Sequence, residues 1–414
     1  MKTIKQDGLS LYIHIPFCVR KCLYCDFLSF SASNSKKQDY VKTLINELAA
    51  WEEVLKEKLT SEEKLTSKEN LTGMDKLYFK TVFAGGGTPT CLEPSMLLEI
   101  LQAVNKYTDE NTEFTIEANP GTITDSHISI FKEAGINRVS LGLQSAQDRE
   151  LKKLGRIHTY REFCNSYSKL EEAGFSNINI DIMAGIPGQD IASYKDTLEK
   201  IITLEPAHIS VYSLIVEPGT AFYKMQEQGK LDIADEETDR HMYNLAKEIL
   251  EKYGYNRYEI SNYSKKGMEC LHNITYWIGG NYLGTGLGAS SYINGARFTG
   301  IKDFNKYINI FKDRAEPGLA EKQIQKNIGS SYEKLSVKNQ MEEFMFLGLR
   351  MCKGVSKSTF LDRFGISMDK VYGNVIKHFL QNQLLAEDVN SGRIYLTERG
   401  IDISNYVLSD FILD

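Results

Sequence analysis

Through the first two-thirds of the chain, short runs crowded with Val, Ile, Leu, Phe and Tyr alternate with stretches whose apolar positions recur every three or four residues. The runs predict strands at Leu11–Ile15, Leu77–Ala84, Glu113–Glu117, Arg138–Gly142, Asn177–Met183 and His208–Leu214. The periodic stretches predict helices at Glu93–Tyr107, Thr124–Glu133, Tyr160–Ala173 and Ser193–Leu204. Gly135 and Gly174 supply helix stops for two of them. About six βα units in series imply an α/β fold with a parallel sheet. Polar and glycine motifs follow nearly every strand, which favours a partly closed barrel with one functional rim over a flat, doubly wound sheet.

Two regions depart from this rhythm. Residues 57–73, EKLTSEEKLTSKENLTG, form a six-residue near-repeat. Six residues at about 100° each leave its leucines about 120° apart around a helix, so no apolar stripe forms. The stretch predicts a solvated insertion in a large domain at residues 1–300. Residues 301–330 follow, with a helix near Lys302–Lys312 and then a polar linker stretch. Residues 331–414 predict a smaller, mainly helical domain. It opens on a strongly apolar helix, NQMEEFMFLGLRM, and closes on a hairpin, LLAEDVNSGRIYLTERG, in the manner of a winged helix.

Charge and composition narrow the classes of function. A net charge of −6 over 414 residues argues against a general nucleic-acid binder. The winged-helix-like segment carries ten Lys/Arg against eleven Asp/Glu, which favours docking or lid duty over reading DNA. No window approaches the ~18 consecutive apolar residues of a membrane span. The opening MKTIKQDGLSLYIHIPFC lacks the apolar core of a secretory signal, so a cytoplasmic location is expected.

Seven cysteines are present, and three fall close together in HIPFCVRKCLYCDF. Cys18, Cys22 and Cys25 therefore sit in one loop after the first strand, able to converge on a single metal centre. Soft sulfur donors suit an iron–sulfur cluster or zinc. Structural zinc normally takes four ligands from two separated pairs; there is no second Cys-x-x-Cys, and His14 is the residue that would have to complete the set. Three thiolates on a four-iron cluster instead leave one iron open to a ligand.

The spacing C-x-x-x-C-x-x-C, with Tyr24 just before the last cysteine, resembles that of the radical S-adenosylmethionine (SAM) superfamily. The segments LYIHIPFC, GGGTPT, TIEANP, RVSLGLQS, LGRIH and DIMAGIPGQ narrow the resemblance to the oxygen-independent coproporphyrinogen III oxidase group, over about Leu11 to Ser291. It implies a partial (β/α)6 radical SAM barrel holding a 4Fe-4S cluster on the three cysteines. SAM would chelate the open iron and be cleaved reductively, with electrons from a donor such as a flavodoxin or ferredoxin. The same resemblance places Gly86, Gly87 and Thr88 at the methionine part of SAM. It assigns Glu117, Gln144, Arg156 and Asp181 to SAM as well, with Tyr12 and Tyr24 beside the cofactor. Polar side chains in otherwise apolar strands need such a partner, whether a ligand or a structural hydrogen bond.

Within that group the residues favour the heme-chaperone branch. The oxidases carry a further cysteine two residues beyond the cluster motif, where this chain has Phe27, and a longer arm before the first strand. The segment CLHNITYW, Cys270–Trp277, contains the H-N-x-x-Y-W pattern associated with heme binding in the chaperones. By that resemblance His272, Tyr276 and Trp277 contact heme: the imidazole as an axial ligand, the rings as flat apolar faces. Cys270 is a competing ligand, and packing of a barrel loop is the structural alternative. The expected function is binding of heme and its delivery to acceptor hemoproteins such as respiratory enzymes. Oxygen-independent coproporphyrinogen III oxidation is the alternative; a zinc-stabilised binding protein with a winged-helix tail is a remote third.

Overall fold

The computed structural model describes residues 8–63, 77–316 and 318–413. Its strands are β1 (Leu9–Ile15), β2 (Phe79–Gly86), β3 (Glu113–Ala118), β4 (Arg138–Gln144), β5 (Ile178–Ala184), β6 (His208–Ser213), β7 (Asn256–Arg257), β8 (Asn262–Ser264), β9 (Tyr282–Thr285), β10 (Ser290–Ile293) and β11 (Ala296–Thr299). Each expected strand is present to within two residues at either end. The helices Pro94–Asn105, Asp125–Glu133, Tyr160–Glu172 and Ile191–Ile202 fill the stretches between them. Gly135 and Gly174 adopt φ 71 and 90, the left-handed conformation that lets the chain leave a helix without a Cβ clash.

The described residues form two compact units whose segments interleave along the chain. The first draws on Met1–Ile178, Ile215–Leu231 and Asn281–Glu333, the second on Asn179–Leu214, Asp232–Gly280 and Lys334–Asp414.

In the first unit the strands run in the order β11-β10-β9-β1-β2-β3-β4. β1 pairs in parallel with both β2 and β9, and β2–β3 and β3–β4 are parallel too. Register explains why polar residues recur in these strands. Ser10 pairs with Thr81, Thr81 with Glu113, Phe83 with Thr115, and Glu117 with Ser140. Side chains alternate along a strand, so Tyr12, His14, Gly85, Glu117 and Gln144 share one face near the carboxyl ends. The opposite face carries Leu11, Ile13, Val82, Phe114, Ile116, Val139 and Leu141, all buried. Burial on both faces is what a parallel sheet requires.

The long helix Asn34–Glu63 follows the cysteine loop and contains residues 57–63 of the proposed insertion; residues 64–73 lie outside the described residues. The polar stretch 313–331 is more ordered than its composition suggests. It contains the helix Ala320–Ile328, which packs with Phe304–Phe311 against Asn34–Glu63. A buried carboxylate fastens them: Glu47 accepts hydrogen bonds from Tyr307 (2.7 Å), Asn327 (3.0 Å) and the Gly286 amide (2.7 Å). Burial outweighs these donors and raises Glu47 to about 7.

In the second unit β5 and β6 are parallel, and β8 joins β6 and β7 in antiparallel fashion. The C-terminal part packs the helices Val337–Gly348, Lys357–Phe364 and Met368–Gln381 around Met345, Phe360, Phe379, Ile394 and Phe411. The expected hairpin, Leu385–Asp388 with Arg393–Leu396, is present, and Val355–Ser356 adds a third strand to it.

Candidate functional site

The cysteine loop is held at several points. The Cys18 amide donates to Phe30 O (3.1 Å), and Leu23 N donates to Leu154 O (3.0 Å). His14 spans its base: Nε2 donates to Leu28 O at 2.8 Å, leaving Nδ1 to accept from the Tyr12 hydroxyl at 3.0 Å. Both ring nitrogens are thereby engaged, so His14 could ligate zinc only by giving up one of these hydrogen bonds. Cys18, Cys22 and Cys25 are free thiols and all half-buried. Among the described residues, no three His, Cys, Asp or Glu groups close on a single ion. A four-iron cluster bonds each thiolate to a different iron, so its ligands stand farther apart than those of one tetrahedral zinc.

Charge and hydrogen bonding around the thiols suit anionic sulfur. Arg156 reaches across with Nη1 3.7 Å from Cys22 Sγ, and Thr88 Oγ1 lies 3.7 Å from Cys18 Sγ. Burial pushes the Cys25 thiol up, against the Phe27 amide and Lys21. Arg156 is locked by Gly142 O and Asn119 Oδ1 and also bonds the Tyr24 hydroxyl. Burial works against its charge, yet Tyr24 and Cys22 raise its pKa overall. Burial likewise pushes the Tyr24 phenol up.

The glycine edge at the end of β2 is a backbone surface. A Cβ on Gly87 would stand 2.6 Å from Phe17 O, and one on Gly85 would stand 2.6 Å from Glu117 Oε2. Gly86 has φ 106, and a Cβ there would strike the His14 ring. Its amide donates to Glu117 Oε2 at 3.0 Å. Thr88 Oγ1 accepts from Asn119 Nδ2 at 2.8 Å, so Asn119 bridges the glycine edge and Arg156. Gln144 ends β4 with φ 73, an unusual conformation for a residue with a side chain and one that concentrates at functional sites. The structure thus brings Tyr12, Gly86, Gly87, Thr88, Glu117, Gln144 and Arg156 to the carboxyl ends of β1–β4, beside the cysteine loop.

Asp181 belongs to the second unit, in β5, where its Oδ1 accepts from Asn179 Nδ2 at 2.8 Å. His272, Tyr276 and Trp277 lie in the same unit on the short helix Leu271–Trp277. His272 is 1% exposed, and its Nε2 bonds the Tyr276 hydroxyl at 2.8 Å. The Arg350 guanidinium covers the Trp277 ring at 4.4 Å. Leu271 and Ile278 are the exposed apolar residues at the two ends of this helix. Asn119 is not marked as a site residue by the sequence, and His14 is marked there only as a possible zinc ligand. Both lie inside quoted motifs, TIEANP and LYIHIPFC, and their signal is a polar residue at or just after a strand end.

Comparison with known proteins places the chain in a family. Residues 12–201 match the model of the Radical SAM superfamily, and residues 335–403 match that of the HemN C-terminal domain. The solved Escherichia coli coproporphyrinogen III oxidase (HemN), a radical SAM enzyme, superposes with a TM-score of 0.77 at 19% identity, covering 98% of this chain and 90% of that one. The fold is that of a radical SAM protein, a class that implies a 4Fe-4S cluster and SAM. Heme chaperone HemW of Lactococcus lactis is 37% identical over 411 residues, 99% of this chain and 98% of that protein. The HemW of Bacillus subtilis is 34% identical over 97% of this chain and 99% of its own length. The chain belongs to the HemW family.

Proposed function

We propose that the chain is a heme chaperone that binds a 4Fe-4S cluster, SAM and heme, and delivers heme in the cytoplasm to hemoproteins such as respiratory enzymes. Full-length identity of 37% to a protein named heme chaperone carries this reading. Phe27, 63% exposed in the cluster loop, supports it, because the thiol expected of the oxidases is replaced there by a phenyl ring.

Cys18, Cys22 and Cys25 would hold the cluster, which supplies an electron when reduced. Arg156 fixes the field beside Cys22 and, through Asn119, the position of Thr88. Gly86 and Gly87 would let backbone approach the methionine end of SAM, where a side chain would collide with His14 or Phe17, and Thr88 would contact it alongside. Glu117 presents one carboxylate oxygen already aligned by the Gly86 amide. Gln144 and Arg156, with Asp181 by family pattern, would complete the polar contacts, and Tyr12 and Tyr24 would pack alongside. His272, Tyr276 and Trp277 would take up heme, His272 by exchanging its Tyr276 hydrogen bond for the iron.

Anaerobic reconstitution followed by hemin titration tests the reading. About four irons per chain and a Soret band that survives desalting are expected. Cys22→Ala should lose the iron, and His272→Ala should lose the Soret band. Colourless protein, or hemin washed off the wild type, would overturn the proposal. Protoporphyrinogen formed from coproporphyrinogen by the same preparation would establish an oxidase instead.

A further inference from the structure

A continuous line of hydrogen bonds crosses the interior of the second unit from the helix of His272 to Asp181. Cys270, at the N-terminus of that helix, donates its amide to the Tyr258 hydroxyl at 3.3 Å. The Tyr258 hydroxyl meets His208 Nε2 at 2.8 Å, and His208 Nδ1 meets Asn179 Oδ1 at 2.6 Å. Asn179 Nδ2 donates to Asp181 Oδ1 at 2.8 Å. Cys270 and His208 are fully buried, Asn179 and Tyr258 nearly so.

The chemistry allows one assignment of protons along this line. Asn179 Oδ1 can only accept, so His208 must carry its proton on Nδ1. Nε2 is then an acceptor, and the Tyr258 hydroxyl must donate to it. That leaves the Tyr258 oxygen to accept from Cys270. The Asp181 carboxylate can only accept, which fixes the amide with its nitrogen toward Asp181, and Ser210 also donates to Asn179 Oδ1 at 3.1 Å. Each donor points the same way, from the helix toward the carboxylate.

We infer that Tyr258, His208 and Asn179 are positioning residues that hold Asp181 in register with the His272 helix, so that SAM and heme occupancy are energetically linked. This rests on the proposed assignment of Asp181 to SAM and His272 to heme. A ligand that draws on Asp181 changes the demand on Asn179 and, through His208 and Tyr258, the anchoring of the helix N-terminus. A ligand that pulls His272 off Tyr276 acts along the same line in reverse. Linkage requires the two effects to be equal in factor.

The test measures hemin affinity of the reconstituted full chain by Soret titration, with and without saturating SAM, and SAM affinity with and without hemin. The wild type should show the same factor both ways, about tenfold. Tyr258→Phe keeps the ring and removes the hydroxyl, and its factor should fall to within about twofold of one. Amide hydrogen exchange of the wild type adds a reading that depends on no variant: SAM alone should alter exchange in the segment containing Cys270. Hemin and SAM that both bind with unlinked affinities would overturn the inference while leaving the functional reading intact. So would full linkage in Tyr258→Phe, or exchange at Cys270 indifferent to SAM. Absence of hemin binding would overturn both.

Discussion

The cysteine loop with its glycine edge and the His272 helix are both candidate binding regions, yet they are built in opposite ways. The first is open and made largely of backbone. Its thiols are half-buried, and its glycines sit where any side chain would meet Phe17, Glu117 or His14. The second is closed upon itself, with His272 bonded to Tyr276 and Trp277 covered by Arg350. A preformed site gives up little on binding, whereas a self-satisfied one must exchange internal contacts for ligand contacts. The first arrangement suits a cofactor held through many cycles. The second suits a cargo that must also be released.

The strongest way to break this contrast is to fill the glycine edge. Gly86→Ala forces an L-residue to φ 106 with its Cβ against the His14 ring, and should cost roughly 3 kcal/mol in urea unfolding. Leu271→Ala, on the exposed side of the His272 helix, should stay within about 0.5 kcal/mol of wild type. Equal losses in the two variants would show that the first region is no more constrained than the second.

A smaller effect should separate closure from affinity in the second region. Tyr276→Phe removes the hydrogen bond that occupies His272 Nε2. Such a bond is worth about 1 kcal/mol net, so hemin should bind about fivefold tighter. Weaker binding would mean that the hydroxyl orients the imidazole or touches the porphyrin, and the region would then be preformed after all.

A test of a different kind concerns the brace behind the first region, and it is read as a slope against pH. Glu47 keeps its proton to about pH 7 in the folded chain, against the ordinary 4.5 of an unfolded glutamate. The folded state therefore binds more protons across that window, and stability falls as pH rises through it. The slope is at most about 1.4 kcal/mol per pH unit, and it flattens above pH 7. Glu47→Gln should abolish this component in denaturant titrations run at several pH values. An unchanged slope would mean that the three donors keep Glu47 ionised.

The two regions also differ in how far the sequence disclosed them. β1–β4 were legible because period-two alternation and end-of-strand motifs are local signals. Tyr12, Glu117 and Gln144 are assigned to SAM by resemblance to the family motifs, and the register places them on one face. The motif around His272 was equally visible, but its closure was not. Arg350 approaches Trp277 from a segment more than seventy positions along the chain, and a local pattern cannot report such a contact. The helix Ala320–Ile328 was hidden for the same reason. Its sequence is polar, and it is secured by Asn327 reaching Glu47, 280 residues earlier. Where tertiary contacts rather than propensity decide a segment, composition misleads.

Gln144 sets a condition on any attempt to make this protein sturdier. Glycine is the replacement that its backbone welcomes most, and relief of the φ 73 conformation would raise stability. That same exchange deletes the amide that the proposed SAM site uses. A search that selects variants for heat resistance alone would thus be drawn toward Gly at this position, and would harvest a tougher chain stripped of one of its proposed SAM contacts.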